Sequence, residues 1–360
     1  MIIKINKLIK ILRNIHSGIK KGRKNVLSSY VLLKIIKQKM FCISIDEEME
    51  IVSYEILEEN EEIFEVLIKY DLFYNICKSH SEEEYIRIEK TKKTLDLYVG
   101  KNIFNLPYLE NQIFPTFLHE VNLKLKIKVK TQDLRNLLNI ALSTSRDDNP
   151  KHYLNGIFFC LNKNILNIFS FDGFRFSFSY IFIDFCFDKI ETILPRNTAL
   201  EFLNTFNNQD YTLILFFDNQ VKFVTSNITL TSRIINDIYH YPKTDLNMSN
   251  YKFISLNTKN IKDSLNKISI FCNNESKIIF NFKNNDFSLN VKSLHEQALI
   301  KLESCFIDFE FKFIIFYTFL NDILKIVNGD FFDLIVNNED SLTLIKENNS
   351  SYIYVINHFI

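Results

Sequence analysis

The residues with the best claim to chemistry are the acid and base that flank a glycine in Asp172-Gly173-Phe174-Arg175. Asp before Gly marks a turn, and Asp and Arg three apart can pair across it. A catalytic reading needs a second carboxylate or a His beside them, and the sequence places neither. The seven His residues are scattered, and His152 and His295 read as surface or packed residues rather than metal ligands. The six cysteines, Cys42, Cys77, Cys160, Cys186, Cys272 and Cys305, stand far apart without a CxxC, which fits reduced thiols in a cytosolic protein. There is no Gly-rich phosphate loop, no HExxH and no GxSxG. A hydrolase would need paired titratable groups in one pocket, and the scattered acids and His residues do not offer them. What remains is charge on helix faces: Lys7, Lys10 and Arg13; Arg135 with Asn136 and Asn139; Lys259, Lys262, Asn266 and Lys267. Such faces meet phosphates without reading bases.

The elements that carry these cations repeat. Leu8, Ile11, Leu12 and Ile15, then Leu134, Leu137, Leu138 and Ala141, then Ile261, Leu265 and Ile268 follow the i, i+3, i+4, i+7 rhythm of an amphipathic helix. The sets begin at Leu8, Leu134 and Ile261, 126 and 127 residues apart, a spacing that fits a domain rather than a solenoid unit. A second, shorter helix is predicted in each third, near Asp71 (Leu72, Phe73, Ile76), near Thr198 (Leu200, Phe202, Leu203, Phe206) and near Tyr317 (Phe319, Leu320, Ile323, Leu324, Val327). Segments rich in β-branched and aromatic residues at 41–45, 157–160, 165–171, 211–217, 278–282, 287–291, 334–336 and 352–356 read as strands. Asn162-Lys163-Asn164, Asp218-Asn219 and Asn284-Asn285-Asp286 read as their turns. The first two thirds also end alike, with 104–107 through Phe114-Pro115 matching 231–234 through Tyr241-Pro242. The expected fold class is α+β, with three similar domains at 1–122, 123–248 and 249–360, each two helices on antiparallel sheets.

A chain of 360 residues with 47% hydrophobic and 24% charged residues can bury three such cores. The 35 Phe and six Gly follow the drift of an AT-rich genome. Because 43 basic and 43 acidic residues cancel, any electrostatic footprint for nucleic acid must be local. Charge is segregated by element, since acid clusters at 46–50, 58–62 and 82–84 fall in strands and loops. Residues 1–19 are apolar but interrupted by Lys4, Lys7, Lys10 and Arg13, which leaves no signal-peptide core. No later stretch approaches the ~18 apolar residues of a membrane span, so no membrane partner is expected.

In the middle third the residues resemble the bacterial DNA polymerase III beta subunit family, the sliding clamps. Tyr153-Leu154-Asn155-Gly156-Ile157 looks like the family's YLNG segment, 171–175 like its TDGHR turn, and Leu194-Pro195-Arg196 like its VPR entry into a helix. Tyr241-Pro242 matches its FPDY segment and 352–360 its terminal strand, with weaker similarity at 104–115, Ile76-Cys77-Lys78 and 272–275. The resemblance implies a head-to-tail ring of two subunits, six clamp domains around duplex DNA, with no catalysis, cofactor or metal. It implies as partners double-stranded DNA, the DNA polymerase III alpha subunit, the clamp loader complex and a second copy of the chain.

Carried over position by position, the resemblance places Arg23, Lys24, Arg146, Lys151, Tyr153 and Arg196 against DNA. It places Leu154, Phe171, Gly173, Phe174, Arg175, Phe176, Pro242, Ile356 and Phe359 in a pocket for a partner's linear peptide. Its subunit contact falls on Leu72, Ile76 and Phe104 against Ile270 and Phe271. The chain departs from the pattern at Phe174, where the family has His, at 356–359, and at Lys243-Thr244-Asp245. An altered peptide preference is the expected consequence, and a clamp-like scaffold that has lost polymerase binding is the alternative.

Overall fold

The computed structural model describes residues 1–19, 26–110, 114, 122–240, 251–273, 275–283, 286–292, 296–302, 310–336, 342–347 and 352–357. The first third runs β1 (Ile2–Lys4), α1 (Ile5–Ile15), β2 (Tyr30–Ile45), β3 (Met49–Lys69), α2 (Tyr70–Lys78), β4 (Tyr85–Lys90), β5 (Thr94–Val99) and β6 (Asn102–Pro107). The second repeats that order with β7 (Leu123–Lys130), α3 (Thr131–Leu142), β8 (Gly156–Phe171), β9 (Arg175–Pro195), α4 (Arg196–Thr205), β10 (Tyr211–Phe217), β11 (Gln220–Val224) and β12 (Ile228–Arg233). The last has β13 (Lys252–Asn257), α5 (Thr258–Ile268), β14 (Lys277–Lys283), β15 (Asp286–Lys292), β16 (Gln297–Leu302), β17 (Phe311–Phe316), α6 (Tyr317–Leu324), β18 (Phe331–Val336), β19 (Leu342–Glu347) and β20 (Tyr352–Asn357). All six predicted helices form. No described helix is long and apolar enough to cross a membrane.

Repetition extends to single hydrogen bonds. The first N–H of each leading helix, an orphan by helix geometry, donates to the carbonyl just before the strand that follows the second helix. Ile5 reaches Glu84 O at 2.9 Å, Thr131 reaches Asp210 O at 3.0 Å and Thr258 reaches Asp330 O at 2.8 Å. After the third strand, Leu109 pairs back to Leu67 and Ile235 to Ile193, both 126 residues apart in the repeat. The apolar stripes face inward: Leu8, Ile11, Leu12 and Ile15 are fully buried, as are Leu134, Leu138 and Ala141. In the last third, Ile261, Leu265 and Ile268 pack on an aromatic core in which Phe280 stacks on Phe313 at 4.7 Å and Phe282 on Phe287 at 4.4 Å.

One expectation is borne out and one is corrected. Asn162-Lys163-Asn164 reverses the chain: Asn167 Nδ2 donates to Cys160 O at 3.3 Å and the rings of Phe158 and Phe169 lie 5.8 Å apart, so the two halves of β8 lie side by side. Lys163 takes φ 55° where the β8–β9 register shifts, and Lys37, 126 residues earlier, takes φ 54° at the corresponding shift in β2. The correction concerns the helix cations. Arg135 Nη1 donates to Leu203 O at 2.5 Å in the last turn of α4, and Lys262 Nζ donates to Val327 O at 2.7 Å just beyond α6. These equivalent positions tie the leading helix to the carbonyl end of the second, where a cation also suits the helix dipole. Burial lowers the Arg135 pKa.

Every pairing between described strands is antiparallel. The sheets run β1-β4-β5-β6, β2-β3-β12-β11-β10-β7, β13-β18-β19-β20-β9-β8 and β16-β15-β14-β17. The two six-stranded sheets each carry strands from adjacent thirds. Two compact units result: Met1–Arg135 with Asn197–Ile234, and Asn136–Arg196 with Ile235–Ile360.

Replacing Arg135 or Lys262 by Met leaves a helix-end carbonyl without its donor and should lower unfolding stability by about 1–2 kcal/mol each. Urea denaturation measures this. A change within about 0.5 kcal/mol, the size of an ordinary surface substitution, would assign these cations no tethering role.

Candidate functional site

The turn between β8 and β9 is built by Asp172. Its Oδ1 accepts from the N–H groups of Phe174 at 3.0 Å and Arg175 at 2.8 Å. Its own N–H donates to Arg175 O at 3.1 Å. Gly173 takes φ 98°, a conformation that a side chain disfavours. Asp172 Oδ2 accepts from Arg175 Nε at 3.0 Å and Nη2 at 2.9 Å, and lies 3.4 Å from Arg146 Nε. The predicted Asp–Arg pair is therefore present, and both partners are buried.

Arg175 gains two further partners from α6. Its Nη1 donates to Asp322 Oδ2 at 3.1 Å, and its guanidinium lies 4.4 Å from the centre of the Phe319 ring. A buried carboxylate and a guanidinium are tolerated only with such geometry, since each pays heavily for leaving water. Phe174 is half exposed, its ring 6.2 Å from that of Phe319.

Beside the turn, the loop before β8 is stapled by two asparagines. Asn149 N–H donates to Asn155 Oδ1 at 2.9 Å, and Asn155 Nδ2 donates to Asn149 O at 3.0 Å. This fixes Leu154, which is buried with Phe158, Ile193 and Tyr239, with Tyr153 and Phe171 alongside. Burial raises the Tyr239 hydroxyl pKa. Gly156 is required by close approach: a Cβ there would lie 2.4 Å from Ile193 Cγ2 and 2.9 Å from Ile235 Cδ1. Phe171 also borders the cluster of Phe176, Ile335 and Val355. Arg175 faces Ile356 in the β9–β20 ladder.

The structure thus gathers Leu154, Phe171, Gly173, Phe174, Arg175, Phe176 and Ile356 around one turn. Leu154, Phe176 and Ile356 are buried, Phe171 is partly so, and Gly173 and Phe174 are open to solvent. Pro242 and Phe359 lie outside the described residues. The sequence pattern missed Phe319, Asp322 and Tyr239, and only the Asn of the YLNG segment hinted at the staple.

The cations expected on phosphates differ in freedom. Arg146 and Lys151 are exposed. Arg196 opens α4 with its side chain held by Ser145 Oγ at 3.1 Å and Asp147 Oδ2 at 3.2 Å. Tyr153 sets its ring edge-on to Tyr239 and His240, at 5.8 and 5.5 Å. Arg23 and Lys24 lie outside the described residues. Of the expected contact residues, Leu72, Ile270 and Phe271 are 49%, 83% and 37% exposed, too open for core residues. Ile76 and Phe104 are partly buried, with Phe104 edge-on to His80 at 5.5 Å.

Two family models match the chain, DNA polymerase III beta subunit, N-terminal domain, over residues 1–118, and DNA polymerase III beta subunit, central domain, over residues 128–243. The chain is 22% identical over 335 residues to the beta sliding clamp of Pseudomonas aeruginosa, covering 91% of this chain and 90% of that protein. It is 23% identical over 292 residues to the beta sliding clamp of Buchnera aphidicola subsp. Rhopalosiphum padi, covering 78% of each. Among solved structures, the DNA polymerase III subunit beta from Pseudomonas aeruginosa superposes with a TM-score of 0.92 at 20% identity, covering 100% of this chain and 99% of that one. The DNA polymerase sliding clamp from Bacillus subtilis gives 0.91 at 16% identity, covering 100% and 98%. The chain therefore has the full-length clamp fold, α+β with antiparallel sheets.

Asp172→Asn would leave Arg175 buried against a neutral amide. Removing one partner of a buried ion pair costs about 3 kcal/mol or more. Thermal unfolding should show the loss, and an unshifted midpoint would mean that Asp322 alone neutralises Arg175.

Proposed function

Because this chain belongs to the DNA polymerase III beta subunit family, the sliding clamps, whose members are non-catalytic, we propose that it is a processivity factor. On this reading two copies close into a head-to-tail ring around duplex DNA. The observation that carries it is a strand junction made twice and left open once. Met49 to Ser53 at the start of β3 pair with Ser232 to Ile228 of β12. Arg175 to Ser179 at the start of β9 pair with Ile356 to Tyr352 of β20. Among the described residues the third member of each set is unpaired on that side: β16 and β6 each end their sheets.

Burial supports the same conclusion. In β3, Met49, Ile51 and Ser53 are buried, as are Arg175, Phe176, Ser177 and Ser179 in β9, whereas no residue of β16 is. Leu230 of β12 is fully buried, while its counterpart Phe104 in β6 is not. A second copy supplies the missing strand at each edge, and two such heterologous contacts close a ring. The repeat register sets Leu299 opposite Ile103 and Ala298 opposite Phe104, with Ile270, Phe271, Leu72 and Ile76 completing the joint.

Topological linkage then replaces tight binding. Loose phosphate contacts from Arg23, Lys24, Arg146, Lys151, Tyr153 and Arg196 suffice, and the ring slides. The three domains of the reading are 1–122, 123–248 and 249–360, and its location is the cytoplasm. The surroundings of the Asp172 turn, with Pro242 and Phe359, form the pocket for a linear peptide of the DNA polymerase III alpha subunit and of the clamp loader. Phe174, half exposed above the buried Phe319, makes its open rim aromatic, which suits an apolar anchor.

Loading with the clamp loader of the same organism onto nicked circular DNA tests the function. The protein should stay on circles and leave once they are linearised; release governed by salt alone would reject a sliding ring. Phe271→Ala removes an anchor at both joints and should raise the dimer dissociation constant by at least about tenfold. An unchanged sedimentation profile at low micromolar concentration would remove Phe271 from the joint.

A further inference from the structure

Strand β7 reads Leu-Lys-Leu-Lys-Ile-Lys-Val-Lys. Its period of two sends Ile127 and Val129, 3% and 4% exposed, into the core and leaves Lys124, Lys126, Lys128 and Lys130 exposed. The equivalent leading strands β1 and β13 carry one lysine each, so the row is not a property of the repeat.

Two further features bear on this strand. Like β1 and β13 it ends its sheet, and among the described residues it is paired on one side only, with β10, so the lysine row is what sets this edge apart. Its other edge offers backbone donors and acceptors to no strand among the described residues. Lys124 is paired with Asp218 at 2.7 Å, but among the described residues Lys126, Lys128 and Lys130 have no acidic partner. Across the ladder they face Leu215, Leu213 and Tyr211. Lys128 lies 4.2 Å from the centre of the Tyr211 ring.

We propose that β7 is a docking edge for an acidic, extended segment of a partner protein, which adds to the sheet as a further strand. Edge addition supplies main-chain hydrogen bonds, and the side chains of the added strand alternate between faces. On the outer face they fall about 5 Å from Lys126, Lys128 and Lys130, where carboxylates at every second residue pair and like charges repel. On the other face they extend the row of Ile127 and Val129, which calls for aliphatic residues. The segment is thus one of alternating acid and aliphatic side chains. The same lysines close the edge to a second copy of β7, whose own row would face them. A nucleic acid would use the lysines but has no use for the free backbone edge. This proposal does not depend on the ring.

The probe is a labelled peptide alternating glutamate and valine, matched to the eight residues of β7. Controls are its lysine-for-glutamate counterpart and an oligothymidylate, with anisotropy measured on the full chain. The glutamate peptide should bind, protect amides of 123–130 from hydrogen exchange and weaken as salt rises. Lys126→Glu, Lys128→Glu and Lys130→Glu together should weaken it by about tenfold or more, as expected for three exposed ion pairs inverted. If that variant fails to fold, protection and salt dependence on the unaltered chain decide. No binding, binding without protection of 123–130, equal binding of the lysine peptide, or binding of oligothymidylate alone would each overturn the proposal.

Discussion

Where a long strand begins, its first five residues are paired with the last strand of the following third, at Met49 to Ser53 and again at Arg175 to Ser179. That junction needs backbone geometry and an alternation of inward and outward side chains, but no particular side chain. It survives in a sequence only 20% identical to a solved clamp. It also imposes an obligation, because a chain of three such repeats always leaves one strand start and one strand end without partners. An unpaired apolar edge is a hazard unless it is covered. Leu299 and Ile103, 54% and 60% exposed on the two open strands, mark where the cover belongs.

The same repeat explains which charges are available. Arg135 and Lys262 serve helix ends, Arg175 and Asp172 serve a buried turn, and Arg196 is engaged by Ser145 and Asp147. In a chain with zero formal net charge, these cations serve the fold, and an electrostatic footprint for a partner must come from others, such as the exposed Lys151.

Much of this was legible in the sequence. Helices announced themselves through the stripes beginning at Leu8, Leu134 and Ile261, because a buried helical face must be apolar at a fixed period. The Asp172 turn was legible because its partners lie within three residues. Asp322 was not, since 147 residues separate it from Arg175 and no local pattern encodes that distance. The reversal at Lys163 was legible, since the turn chemistry of Asn-Lys-Asn is local and brings Asn167 back to Cys160. Arg135 and Lys262 were misread as phosphate contacts because amphipathicity reports that a residue points away from the core, not what else it meets there. Pro242 and Phe359 fall outside the described residues and keep the standing that the family resemblance gives them.

The central claim is that the open edges of β6 and β16 pair between copies in the register of the two internal junctions. It is tested most directly by placing one cysteine on each strand, Ile103→Cys with Leu299→Cys, and treating the protein with a short thiol crosslinker. Directly opposed residues on paired strands lie about 5 Å apart, within its reach. Single variants control for Cys160 and Cys272, which are partly exposed. The account predicts that the double variant runs under denaturing conditions at twice 42.8 kDa while neither single variant does. A double variant that stays at the mass of one chain would contradict it.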